Sequence, residues 1–295
     1  MRTRLQRAQD ALRTLWRLAA YAALVVVVWG ALALLARTGA LLAAGSGVAP
    51  ALGWGTLLAG VWLAHLIMLR WVDREPWSVV RLGRSQLTWR SAGIGLAAGG
   101  LGILVPSLLL LGVHWLRAVP ESGGSGTWVR YAGEMAVFFL PQSLTEEMLV
   151  RGYPFAVLRA SLGGGWALAL TSAVFGALHW ANPGADVQSV LLVMLAGVFL
   201  GGVLLLTESL YAAWMAHFAW NWSMAALLHT AVSGLPMRAP DYRIFDNGPD
   251  WATGGAWGPE GGAGAAVGML AALWILIAWR RRQGARRAEP ELEGI

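Results

Sequence analysis

Six side chains on three separate apolar stretches carry the chemistry this chain can do. The first stretch is Leu144-Thr145-Glu146-Glu147-Met148-Leu149-Val150-Arg151. It lies between Met135-Ala136-Val137-Phe138-Phe139-Leu140 and Tyr153-Pro154-Phe155-Ala156-Val157-Leu158. A charge at the centre of hydrocarbon costs roughly 2.5–3.5 kcal/mol even on insertion scales. One reading is a charged loop between two membrane helices. The sharper reading is a helix whose polar face turns into protein. Glu147 and Arg151 stand four apart and can pair on that face. Glu146 has no partner at that spacing, and an unpaired carboxylate at membrane depth marks a functional site by default.

The other two stretches carry imidazoles. Phe175-Gly176-Ala177-Leu178-His179 is followed by Trp180-Ala181-Asn182-Pro183, and Trp214-Met215-Ala216-His217 by Phe218-Ala219-Trp220-Asn221. His217 and Asn221 stand four apart and share a helix face. A lone His at a helix end is an ordinary interfacial residue, and a His/Asn pair can simply bond helices together. Depth argues for more. The stretches around 146 and 179 predict an antiparallel hairpin turning near 160–165. Glu146 lies 13 residues before Arg159, and His179 lies 13 residues after Trp166. At 1.5 Å per residue both are roughly 20 Å from the turn, so they meet at one height. A carboxylate, two imidazoles and an amide can activate a water and stabilise an oxyanion. His65, His114 and His229 have no such companions and read as structural or interfacial.

The elements that must hold these groups are membrane helices. The chain has 295 residues, 57% hydrophobic and 13% charged, with mean hydropathy +0.56. A soluble domain carries about 25% charged residues. All 22 basic residues are arginine, and the net charge is +6. Those arginines fall between apolar spans, so they report topology, and no nucleic-acid partner is expected. The absence of cysteine removes disulfides, thiolate metal sites and a thiol nucleophile.

Apolar spans fall at about 18–36, 52–69, 92–116, 128–158, 166–180, 187–207, 210–232 and 263–279. The fold expected is an all-α polytopic bundle of about eight transmembrane helices, each near the roughly 20 residues a crossing needs. The fifth is short, and the fourth is long enough that it must tilt or protrude. The first exceeds a signal-peptide core and reads as an uncleaved anchor. Placing the N-terminus inside puts seventeen arginines on inner segments and five on outer ones, the asymmetry of the positive-inside rule. The organisation expected is a basic cytoplasmic N-terminus (1–17), a membrane domain (18–279) and a basic cytoplasmic tail (280–295). Residues 73–90 read as an interfacial segment. Ser122-Gly123-Gly124-Ser125-Gly126 reads as a flexible outer turn. The Gly- and Pro-rich loop 233–262 either covers the outer face or is disordered.

Taken together, Glu-Glu-x-x-x-Arg at 146–151, Phe-x-x-x-His at 175–179 and His-x-x-x-Asn at 217–221 resemble the CAAX-processing and bacteriocin-processing family of intramembrane proteases, which includes the type II CAAX prenyl endopeptidase. The resemblance covers about 128–232, and His179-Trp180-Ala181-Asn182-Pro183 is similar to the family's second motif and its tail. It implies a glutamic-type endopeptidase. Glu146 would be the general base, with His179 holding the same water, His217 and Asn221 would donate to the oxyanion, and Glu147 and Arg151 would orient the cluster. The resemblance favours a metal-free mechanism with no cofactor. A zinc mechanism would use Glu146, His179 and His217, two imidazoles and a carboxylate with one position left for water. His-Glu-x-x-His is absent.

The partners expected are a peptide or membrane-protein substrate and the lipid bilayer, in a bacterial cytoplasmic membrane with both termini cytoplasmic. Gly123-Gly124-Ser125-Gly126 matches a rhomboid-like Gly-x-Ser-Gly pattern but lies in a polar turn, and the spans hold no aspartate pair. The alternatives are a non-catalytic scaffold or bacteriocin-immunity-type protein, and a small-solute transporter. The transporter ranks last, because no inverted repeat or paired broken helix is evident.

Overall fold

The computed structural model describes residues 4–42, 49–121, 124–237 and 239–292. It is an all-α helix bundle with one two-stranded ribbon. In chain order the helices are α1 (Arg4–Leu42), α2 (Ala49–Ile67), α3 (Trp89–Gly112), α4 (Ser125–Arg151), α5 (Tyr153–Leu162), α6 (Gly164–Leu178), α7 (Val187–Thr207), α8 (Leu210–Trp222), the one-turn α9 (Asp250–Thr253) and α10 (Ala263–Leu292). Residues 122 and 123 of the Gly/Ser stretch lie outside the described residues, and its last two, Ser125 and Gly126, already belong to α4 and not to a turn.

Five of these are long and apolar enough to cross a membrane: α1, α2 with its π-helical extension, α3, α7 and α10. Their outward faces carry bare aliphatic and indole groups such as Leu35, Leu109 and Trp274. Only lipid makes such a surface favourable, so this is an integral membrane protein. Among the remaining helices of the bundle, α4, α6 and α8 do not meet that test. α6 has 15 residues and α8 has 13, while α4 carries too much charge. These three bear the candidate site. Polar groups at membrane depth face protein, and the more apolar helices shield them from lipid.

The long fourth span expected at 128–158 is not one helix. It breaks at Gly152 between α4 and α5. Pro154, in the first turn of α5, has no N–H to continue the ladder of α4. A Cβ at Gly152 would stand 2.3 Å from His65 Nε2 and 2.4 Å from the Met148 carbonyl, so the break is also a point of close packing. Similarly, the span expected at 210–232 is helical only to Trp222, then winds as a π-helix over Ser223–Leu227 before leaving the bundle. The expected hairpin turn is present at Gly163, whose φ of +85° favours glycine.

His65 ties the first half of the chain to this break. It is fully buried; its Nδ1 bonds the Val61 carbonyl (2.8 Å), and its Nε2 accepts from the backbone N–H of Tyr153 (3.0 Å). Tyr153 in turn donates its hydroxyl to Asp73, which also pairs with Arg17 of α1 at 2.5 Å. The structural reading of His65 is what the structure shows. The 73–90 segment packs on the start of α8: the Leu82 carbonyl accepts from the Tyr211 hydroxyl (3.0 Å), and the Gln86 carbonyl from the Ser209 hydroxyl (2.9 Å).

The two ends of the bundle differ. At one end β1 (Leu116–Pro120) pairs antiparallel with β2 (Tyr242–Asp246), Ala118 opposite Ile244. This joins the α3–α4 connection to the long loop 233–262. That loop is folded, with α9 and two 3₁₀ turns at Gly255–Trp257 and Pro259–Gly261. At the other end Glu208 bridges Arg81 (2.5 Å) and Arg159 (3.2 Å).

Candidate active site

Two adjacent carboxylates at the end of α4 open the site, and they go different ways. Glu147 is fully buried. It accepts from Arg151 Nη1 at 2.9 Å, four residues on along α4, and from His217 Nδ1 at 2.9 Å across on α8. The pair is only partly satisfied: Glu147 Oε2 and Arg151 Nε and Nη2 are buried with no hydrogen-bond partner in the protein, so opposite charge and the His217 bond must offset their desolvation. The Arg151 guanidinium also lies over the Phe175 ring, 4.0 Å from its centroid. Phe175 touches both imidazoles, with centroids 4.7 Å from His179 and 5.9 Å from His217. It is therefore the apolar wedge against which the polar groups are set.

Glu146 turns toward the imidazoles. Its Oε1 accepts from Gln142, one turn earlier on α4. Its Oε2 is buried with no hydrogen-bond partner in the protein. His217 Nε2 lies 3.8 Å from that atom and His179 Nε2 lies 3.9 Å from it. Those distances are too long for direct hydrogen bonds and suit one bridging water. The opposite ring nitrogens are anchored: His179 Nδ1 on the Phe175 carbonyl at 2.8 Å, and His217 Nδ1 on Glu147. These partners fix which ring nitrogen faces Glu146.

Asn221 follows His217 by one turn and donates to Gln142 Oε1 at 3.3 Å. Gln142 thus links Glu146 to Asn221, and sequence reasoning missed it. A signal was available, since residue 142 lies four before Glu146 on the same helical face. All six residues picked from the sequence, Glu146, Glu147, Arg151, His179, His217 and Asn221, come together in one cluster.

Three indoles hold α4 and the α8 segment in register. Trp214 donates to the Leu140 carbonyl (2.8 Å), Trp222 to that of Ala132 (2.9 Å), and Trp128 to that of Ala226 (2.8 Å). Behind α8, α3 approaches closely: a Cβ at Gly99 would fall 1.9 Å from the Ala216 carbonyl, and one at Gly95 would fall 2.2 Å from that of Ala212. Such small-residue packing lets membrane helices touch backbone to backbone.

A cavity of about 30 Å³ adjoins the cluster, bordered by Phe175, His179, His217, Asn221, Ser233 and Glu260, among others. That is room for a water or two. Glu260, from the long loop, is the second residue that sequence reasoning missed. Nothing in its Gly- and Pro-rich surroundings marks it.

Comparison with curated proteins finds no match, and comparison with solved structures finds none. Residues 127–223, which contain all six clustered residues, match the type II CAAX prenyl endopeptidase Rce1-like family. The match covers 97 of the 295 residues and supports an intramembrane endopeptidase in general terms: it is what that part of the chain is similar to.

Proposed function

We propose that the protein is a glutamic-type endopeptidase that cleaves a peptide bond inside the membrane with a water activated by Glu146. One observation carries this reading. A buried carboxylate oxygen with no protein partner faces two imidazole nitrogens at 3.8 and 3.9 Å. A water at that point gives a proton to Glu146 while His179 holds it, and its oxygen attacks the scissile carbonyl. The oxyanion that forms is met by Asn221 and by His217. With a carboxylate on each side, the His217 ring can carry both protons and donate from Nε2. Glu147 and Arg151 set the orientation of His217 and never touch substrate.

Zinc on Glu146, His179 and His217 would ask three donors to converge on one point at about 2.0–2.2 Å. Among the described residues no group of three or more His, Asp or Glu is disposed to hold a metal ion. The mechanism proposed here is the metal-free one, and no step in it is routed through a metal. The substrate in this reading is a peptide or membrane-protein segment reached from the bilayer, and no nucleic acid takes part. The arginine asymmetry supports an orientation with both termini cytoplasmic, and the membrane in this reading is a bacterial cytoplasmic one.

The test compares the termini of membrane proteins in cells with the active chain, with none, and with Glu146→Gln. The variant keeps shape and hydrogen bonding but loses the base. New termini should accompany the active chain only. Unchanged cleavage by Glu146→Gln would sink the mechanism and leave a non-catalytic role for the cluster. Metal analysis of the purified protein should find less than one zinc per chain. A stoichiometric zinc lost in His217→Ala together with cleavage would replace this mechanism with the metal one.

A further inference from the structure

The hydrolysis above lacks one participant. When the C–N bond breaks, the leaving nitrogen must take a proton, and the groups around Glu146 are engaged with the water and the oxyanion. Glu260 lines the cavity that both imidazoles border and that Glu146 does not. It lies on the Pro259–Gly261 turn, outside the helices, and is nearly buried. His179 and His217 border both Glu146 and the cavity that Glu260 lines. The loop carboxyl is held, not loose: Oε2 accepts from Trp220 Nε1 at 3.1 Å and Oε1 from the Ser233 backbone N–H. Each oxygen keeps a second lone pair, so a proton can sit on Glu260 without breaking either bond.

Resting on the protease reading, we propose that Glu260 is the general acid of this site, giving its proton to the leaving amine from the cavity that it lines. Glu146 takes a proton from water as the new C–O bond forms. The tetrahedral intermediate collapses as the C–N bond breaks and the nitrogen receives the Glu260 proton. The products are a carboxylic acid and an amine. Trp220 and the Ser233 N–H then hold the Glu260 carboxylate, and the proton on Glu146 returns to it through His179 and solvent. Two carboxyl groups with different environments divide base and acid work between them. Burial holds the Glu260 carboxyl above the usual carboxylate range, against its two N–H donors and His179, which favour the anion. The titratable groups bordering the cavity with it are His179 and His217.

Glu260 lies beyond the family-matched residues 127–223, so the loop would supply to this chain a group that the matched helices do not. A Cβ at Gly258 would stand 2.2 Å from the Ala231 carbonyl, and one at Gly234 would stand 2.1 Å from that of Pro183. The turn is therefore seated by close backbone contact, which fixes where the carboxyl points.

Two measurements on the full chain in lipid nanodiscs test this. The first needs no substrate: infrared spectra titrated with pH, wild type against Glu260→Gln. A protonated-carboxyl band present at neutral pH in the wild type should vanish in the variant. If Glu260→Gln does not fold, Glu260→Asp serves, through a shift of the same band. The second is cleavage of a fluorogenic farnesylated CAAX-type peptide. Glu260→Gln should lower kcat by about 10²-fold with KM little changed, and the alkaline fall in kcat should move. A wild type that leaves this peptide uncut counts against the protease reading with that substrate class, and the infrared result then decides Glu260. No band lost at neutral pH, or a raised KM at constant kcat, would make Glu260 an ionised anchor for the loop and overturn the proposal.

Discussion

At the scale of single residues the site is a set of divided duties. Glu147 and Glu146 are chain neighbours, yet one shares a single oxygen between Arg151 and His217 while the other turns a bare oxygen toward two imidazoles. Removing one member of a fully buried ion pair costs roughly 3–5 kcal/mol, because the partner stays buried and charged. Arg151→Ala should therefore lower the melting temperature in detergent, and cleavage should fall with it. Normal melting with lost cleavage would mean that Arg151 acts on substrate. Asn221→Ala should behave differently. In the proposed mechanism it removes one donor to the oxyanion, so the protein should melt normally and keep residual turnover, with a loss on the order of 10²–10³ in kcat. A complete loss would assign Asn221 a larger part through Gln142.

At the scale of elements the geometry depends on how α8 is clamped. Indole bonds set its register against α4, and glycines of α3 let it lie close on the other side. Gly99 faces the carbonyl of Ala216, which precedes His217 in the chain. A methyl group there cannot fit without moving one helix, and overpacking of this kind costs typically 1–3 kcal/mol. Gly99→Ala should lower both stability and turnover, with turnover falling more steeply than the melting curve explains, because α8 carries His217 out of reach of Glu146. Gly100, on the same helix, meets nothing nearer than 3.9 Å, so Gly100→Ala is the matched control. Equal effects from the two would remove close α3–α8 contact as the cause.

At the scale of the whole molecule the polar helices sit inside and the apolar ones outside. The β1–β2 ribbon gathers the loops read as outer at one end, and the Arg81–Glu208–Arg159 bridge gathers segments read as inner at the other. Strict alternation over eight spans needs this separation. Reporter fusions after Arg117, at the ribbon end, and after Arg287, in the tail, should read outside and inside respectively. Two readings on one side would break the eight-span topology, most simply by removing the short α6 or α8 as a true crossing.

The sequence by itself determined what depends on composition and short periods. Low charge and apolar spans required a membrane bundle, and the i, i+4 spacings put Glu147 with Arg151 and His217 with Asn221. Equal counts from one turn predicted Glu146 and His179 side by side, and they do meet at 3.9 Å, although the helix assumed between 146 and that turn is broken at Gly152. These are local properties of a helix with a fixed rise, so a linear chain states them. Long-range packing decided the rest. Pro154 interrupts the ladder near Gly152 locally, but what packs into that break is His65, nearly ninety positions earlier. The bond from His217 to Glu147 rather than to Glu146 depends on helix rotation, which no single span encodes. Glu260 reaches the site only because the loop folds back over the bundle. Its neighbours in sequence are glycines and a proline, whose shared property is freedom of backbone direction, and only the contacts of the folded chain choose among those directions.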